Sequence, residues 1–345
     1  MPDPILFEIE KYDRSLEPLE KVKRPIIVAY GMGVDSTAMM MGLRDRGIRW
    51  DATVFADVGA EKDETYRYRR VMDSWLSRRG LPKTTVVRYR PVKFKNYPPY
   101  SNIEENCLSN GTLPSVTFGF GSCSLKWKAA PQLKWTQRWR PAVDTWMKGR
   151  RVVKLIGFDS SPGDIRRRNH AGTITDTKFE YRYPLQEWKW DRGACLERII
   201  DERLPGMDPE YLNDAPLRWI SSGGVPMKSS CFFCAAMKPW EVSILPKNML
   251  KRIVILEARA KPRHRVIEGL WRKATKTRPG SMTEYILDRG LLPKDAVRRL
   301  QEDVPKELMN GVTKWRGTGE EINWSDFFSS VGVVPPEYCD PLEVT

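Results

Sequence analysis

The sequence predicts an α/β protein: a parallel sheet with helices on both faces, followed by a mainly helical C-terminal region. Three observations carry this. Between residue 25 and about residue 160, short apolar runs alternate with longer helix-like runs. The first of those runs, Ile26-Ile27-Val28-Ala29, is apolar at every position, as in a strand covered on both faces. Beyond residue 188 the chain reads as helices broken by frequent prolines.

Taken in order, residues 1–24 are a polar, charged lead-in with little core, and 25–187 make the α/β domain. Within it, 26–30, 52–57 and 84–90 read as strands, and 35–46 and 63–79 as helices. Residues 92–122 are rich in Pro, Asn, Gly and Ser and read as a long active-site loop. From Cys123 to about Gly149 the chain reads as basic helix, and Arg151 to Phe158 as a strand ending in Gly157. Residues 159–180 read as a polar loop holding an arginine run, and 188–345 as the helical region carrying Cys231 and Cys234.

Composition narrows the function classes. No apolar run reaches the roughly 18 residues of a membrane helix, and no signal-peptide pattern is present, so a soluble, cytoplasmic protein is expected. Six cysteines in 345 residues are too few for a disulfide scaffold, so grouped cysteines point to metal or redox chemistry. The net charge of +14 calls for an anionic partner, with nucleic acid the leading candidate, and thirteen tryptophans offer stacking surfaces or core anchors.

The densest chemistry lies in Tyr30-Gly31-Met32-Gly33-Val34-Asp35-Ser36-Thr37, where a strand turns into a helix. Gly31 and Gly33 allow a sharp turn and close approach of the backbone to a ligand. Asp35, Ser36 and Thr37 stand where unsatisfied N–H groups and the positive end of the helix dipole gather, which makes an anion cradle. A ligand-free strand–helix turn has the same outline. The spacing matches neither a Walker loop nor the dinucleotide fingerprint. A second turn follows at Asp57-Val58-Gly59-Ala60-Glu61, whose acids suit a ribose hydroxyl or Mg²⁺, or simply a helix N-terminus. Cys231-Phe232-Phe233-Cys234 can place two thiolates on one metal or cluster, or form a redox dithiol or half of a zinc site.

Together these segments resemble the ATP pyrophosphatases (the PP-loop, adenine nucleotide alpha-hydrolase-like superfamily), and within it the phosphoadenylyl-sulfate reductase-like proteins. The chain also resembles phage and bacterial reductase-like and DNA-phosphorothioation proteins. Gly31 to Ser36 stands for the family's Ser-Gly-Gly-x-Asp-Ser loop, with Met32 at one family glycine and Tyr30 or Gly31 at the family serine. Asp57, Gly59 and Glu61 match its Asp-x-Gly-x-Glu turn. Cys123, Ser124, Lys128 and Pro131 match a Cys-Cys-x-x-x-Lys-x-x-Pro segment, and Cys231 and Cys234 the later Cys-x-x-Cys.

The resemblance implies a Rossmann-like sheet and a site for ATP and Mg²⁺. Tyr30, Gly31, Gly33, Val34, Asp35, Ser36, Thr37, Asp57, Glu61 and Gly157 would bind the nucleotide, with Asp35, Ser36 and Lys128 catalytic. Cys123, Cys231 and Cys234 would hold a [4Fe–4S] cluster, with one iron left open by Ser124 or closed by Cys107; structural Zn²⁺ is the rival. Arg166, Arg167 and Arg168 would grip substrate phosphate. Cys195 reads as a free buried thiol. Cys339 lacks the glycine and histidine around the reductases' C-terminal thiol and takes no role. His170 takes none either. The implied activity is adenylation of an acceptor followed by sulfur insertion, into DNA or RNA, with a sulfur-donor protein such as a cysteine desulfurase as partner. A sulfonucleotide reductase and a non-catalytic, zinc-containing nucleic-acid-binding module use the same residues.

Overall fold

The computed structural model describes residues 16–94, 96–172, 176–202, 204, 229–264 and 266–334. Five strands form one parallel sheet: β1 (Ile26–Ala29), β2 (Ala52–Ala56), β3 (Thr84–Val87), β4 (Val152–Ile156) and β5 (Phe179–Arg182), in the order β3-β2-β1-β4-β5. In chain order, the helices of this half are α1 (Val34–Asp45), α2 (Asp63–Ser77), α3 (Ile103–Asn110), α4 (Ala130–Thr136), α5 (Arg140–Met147), α6 (Pro162–Gly172), α7 (Pro184–Glu187) and α8 (Arg192–Glu202). Those of the second half are α9 (Pro239–Ser243), α10 (Lys247–Ala260), α11 (Met282–Asp288), α12 (Lys294–Glu302), α13 (Val304–Thr318) and α14 (Trp324–Ser330). The expected α/β class holds. Among the described residues no helix is long and apolar enough to cross a membrane.

The two-sided burial of the strands follows from their alternation. Ile26 and Val28 of β1, Phe55 of β2 and Val153 and Leu155 of β4 join one core with residues of α1, α2 and α8. Ile27, Val54 and Val152 face the other side, where Ala142 of α5 and the indoles of Trp135, Trp139 and Trp146 cover them. A third core is built on α10 and the helices around it, and it takes in Val58 and Ala60 from the turn after β2, Trp127, Phe232 and Phe233. That turn is therefore shared by the sheet and the helical region.

Three expectations are corrected. Residues 92–122 hold α3, capped by Asn102 Oδ1, which accepts from the N–H of Glu105, and closed by left-handed Gly111. Residues 159–180 hold α6 and the start of β5 rather than a continuous loop. The basic helix from Cys123 is continuous only to Thr136, and its first part, Leu125–Ala129, is a π turn.

Two buried charged sites stand out, one a pair and one a lone lysine. Glu104 of α3 receives Nε of Arg252 at 2.9 Å and pairs with a second guanidinium nitrogen, and the same guanidinium lies 4.2 Å from the ring of Phe232. Removing one partner strands the other charge, so Arg252→Ala should cost about 3–5 kcal/mol in urea unfolding, and Glu104→Leu/Arg252→Met should recover most of it. Lys154 of β4 sits against the Phe179 ring with no ion pair among the described residues, and burial pushes its ammonium down to about 8. A depressed lysine contributes most stability when neutral, and that contribution is lost as pH falls from about 10.5 through 8. Lys154→Met should raise stability by about 1–3 kcal/mol at pH 7, an advantage that shrinks as pH approaches 10. Equal unfolding midpoints for the two proteins across that range would refute this.

Candidate nucleotide and thiol site

The sheet order reverses between β1 and β4, and the crevice at such a point, outside the strands' carboxyl ends, is where open α/β sheets bind ligands. The glycine loop leaves β1 there and Gly157 leaves β4. A Cβ on Gly157 would lie 2.8 Å from the backbone N and Cα of Ser36, so only glycine lets the two turns touch. Ser36 Oγ accepts from the N–H of Gly31 and donates to the carbonyl of Gly33, tying the loop to its own helix. The first bond of α1 runs from Thr37 N to Gly33 O, which leaves the N–H groups of Val34, Asp35 and Ser36 at the helix end. Met32 adopts φ 60°, a left-handed conformation, with its side chain wholly buried.

Tyr30 and Thr37 lie beneath this cradle rather than in it. Both are buried, and their hydroxyls bond each other at 3.1 Å, with Tyr68 alongside. Their hydroxyls support the loop from within the core. Asp35 is gripped by Arg192, whose Nη1 lies 2.6 Å from both carboxylate oxygens. Burial nonetheless raises the Asp35 carboxyl, outweighing the opposing pull of Arg192. Carboxylate oxygens of Asp35, Asp159 and Asp164 lie within 4.8 Å of one another.

The turn after β2 divides its two acids. Asp57 is buried and fully engaged: it accepts from Arg88 Nε at 2.8 Å and from a second guanidinium nitrogen, from Tyr66 at 2.9 Å and from the N–H of Gly59 at 2.8 Å. Expected as a ribose or Mg²⁺ ligand, it is instead the anchor of the turn. Glu61 is buried too, but only Oε1 is taken, by Lys128 Nζ at 2.9 Å; Oε2 has no partner among the described residues. Burial alone would lower the Lys128 ammonium, yet the Glu61 carboxylate holds it above its usual range.

The thiols converge on the same turn. Glu61 pairs with Cys231 in a short antiparallel bridge, and Phe232 N donates to the carbonyl of Ala60 at 3.0 Å. Ser229, two residues earlier, rests on the glycine loop: a Cβ on Gly33 would lie 3.0 Å from its Oγ. Cys123, on the turn that opens the basic helix, is within electrostatic range of Cys231, as is Cys234. Cys107 is buried in α3 and within range of Cys123. Burial pushes the Cys231 thiol up, and the Glu61 carboxylate adds to this. Among the described residues only the acidic trio has its ligand atoms all within 4.8 Å of one another, so the three thiols are spread wider. Two buried polar atoms on these segments, Ser230 Oγ and Glu61 Oε2, have no partner among the described residues.

Of the arginine run, Arg166 and Arg167 are exposed, Arg167 pairing with Asp164 at 2.9 Å, while Arg168 is buried, as a helix turns successive residues away from each other. Arg192 and Ser229 join the glycine-loop residues through tertiary contacts, without a role given to them from sequence. Cys195 is wholly buried, and burial raises its thiol, as expected of a packing cysteine. Lys228 and Cys339 lie outside the described residues. No protein-family model matches the chain, and no curated protein matches it.

The close contact of Gly157 with Ser36 yields a prediction. Gly157→Ala forces the helix end away from β4, and should cost about 1–3 kcal/mol of stability. An unfolding midpoint equal to the wild type's would show that the loop does not depend on the β4 turn.

Proposed function

We propose that the chain is an ATP-pyrophosphatase-type enzyme that adenylates an acceptor oxygen in nucleic acid and replaces that oxygen with sulfur. One observation supports this above the others: the segment bearing Cys231 and Cys234 rests on the glycine loop through Ser229 and on the second turn through Glu61. Nucleotide and sulfur chemistry would then share one site.

In this reading the N–H groups of Val34, Asp35 and Ser36 hold the pyrophosphate, placing fixed dipoles where charge develops. Asp35, Asp159 and Asp164 offer the oxygen ligands that Mg²⁺ prefers. Arg192 orients Asp35, and Lys128, kept charged by Glu61, sets a positive charge between loop and thiols. The acceptor oxygen attacks the α-phosphorus, the bond to the β-phosphate breaks, and pyrophosphate leaves. Hydrosulfide from a donor then displaces AMP, so the acceptor exchanges oxygen for sulfur with no net electron transfer. A cluster held by Cys123, Cys231 and Cys234 would supply an iron on which sulfur can be carried. Reduction of a sulfonucleotide to sulfite draws on the same contact between loop and thiols.

Asp35→Ala and Ser36→Ala should each abolish ATP-dependent pyrophosphate release while leaving the circular dichroism unchanged; release at the wild-type rate in both removes the reading. Anaerobically purified protein should contain iron and sulfide and absorb in the visible. Cys231→Ser should lose that absorption and Cys195→Ser should keep it. Stoichiometric zinc without iron would point to a structural metal, and sulfite from adenylyl sulfate would point to the reductase.

A further inference from the structure

Resting on that reading for its purpose but not for its geometry, we propose that a groove between the end of β3 and the α4–α5 connection binds single-stranded nucleic acid. The groove encloses about 460 Å³ and is lined by Arg88, Arg90, Lys134, Trp135, Arg138 and Trp139, among others, with no carboxylate in its lining. Arg88 is committed to Asp57. Arg90, Lys134 and Arg138 are exposed and have no ion-pair partner among the described residues. Three uncompensated cations around one cleft are an electrostatic invitation to a polyanion.

Between them stand two half-buried indoles. Trp135 and Trp139 are stacked, their centroids 5.4 Å apart and their planes 19° from parallel. The stack is held from behind by the sheet core, so its free surface is rigid. A positive groove with rigid aromatic faces is the arrangement that takes unpaired bases by stacking and backbone by charge. A duplex hides its base faces, and so cannot use the indoles.

The groove also points to the site. Lys134 is six residues beyond Lys128 on one helical stretch, a rise of about 9 Å. On the other wall, Arg88 ties the end of β3 to Asp57, in the turn that carries Glu61. The groove and the site are thus joined through one helical stretch and one buried ion pair. An enzyme that modifies a nucleotide inside a closed crevice needs it out of the helix, which a single-strand channel provides.

Fluorescence anisotropy of the full chain with labelled oligonucleotides of about twelve nucleotides tests this. Oligo(dT) and oligo(U) should both bind, because phosphates and base faces are common to both, and a duplex of equal length should bind at least tenfold more weakly. Arg90→Ala/Lys134→Ala/Arg138→Ala should weaken binding and reduce the slope of log K against log salt by about two, since each single-strand phosphate contact contributes about 0.7. Trp139→Leu should weaken binding by about tenfold without changing that slope. Failure of both single strands to bind at low salt, duplex binding as tight as single-strand binding, or a triple variant with wild-type slope would each overturn the proposal. The three replaced cations are exposed and unpaired, so that variant tests the groove even if Trp139→Leu fails to fold. Ser36→Ala should bind oligonucleotide as the wild type does. If pyrophosphate release fails while oligonucleotide still binds, the groove stands and the sulfur-insertion reading falls; pyrophosphate release stimulated by duplex without any single-strand binding removes the groove alone.

Discussion

The turn after β2 carries the charge pairs on which the site depends. Asp57 draws in Arg88 from the end of β3 and Tyr66 from α2, and Glu61 draws in Lys128 from the π turn. The same turn gives its backbone to Cys231 and Phe232. Sheet, basic helix and thiol segment thus meet around two buried carboxylates. Buried charge is tolerated only when paired, so each acid acts as a geometric specification of where its partner must stand. The division of labour follows from saturation: Asp57, with every lone-pair direction engaged, is structural, while Glu61 keeps one oxygen without a partner among the described residues.

Many of the basic side chains are paired with acids within the fold. Glu202 at the end of α8 alone collects Arg44, Arg79 and Arg198, as well as the indole N–H of Trp75. Arg182 is buried against Glu187, and Arg252 against Glu104. A count of basic residues therefore overstates the charge presented to solvent, and a run such as Arg166-Arg167-Arg168 overstates it locally. The cations left over are informative because so many others are spoken for.

The parts legible in the sequence were those set by local pattern. The apolar runs of β1, β2 and β4, the glycine turn entering α1 and the paired cysteines all follow from spacing and residue type. Strand β5 escaped because Phe179-Glu180-Tyr181-Arg182 mixes charged and aromatic residues, and its pairing with β4 outweighs that composition. Helix α6 escaped because its arginines and flanking glycines read as loop, while α3 was concealed in a segment rich in turn formers. The partnership of Asp35 with Arg192, 157 positions apart, and the seat of Ser229 on Gly33 come from tertiary contacts with no local signature.

The methionine in the glycine loop has a consequence for how a ligand would be received. Glycine reaches the left-handed conformation freely and leaves it as freely; Met32 must be driven there, at roughly 1–2 kcal/mol, by the packing of its own side chain in the core beneath. The curvature of the cradle is thereby coupled to the interior of the domain, and loosening the one loosens the other. A nucleotide arriving at such a loop meets a receptor already ordered by folding, and loses less of its binding free energy to arranging the chain around itself.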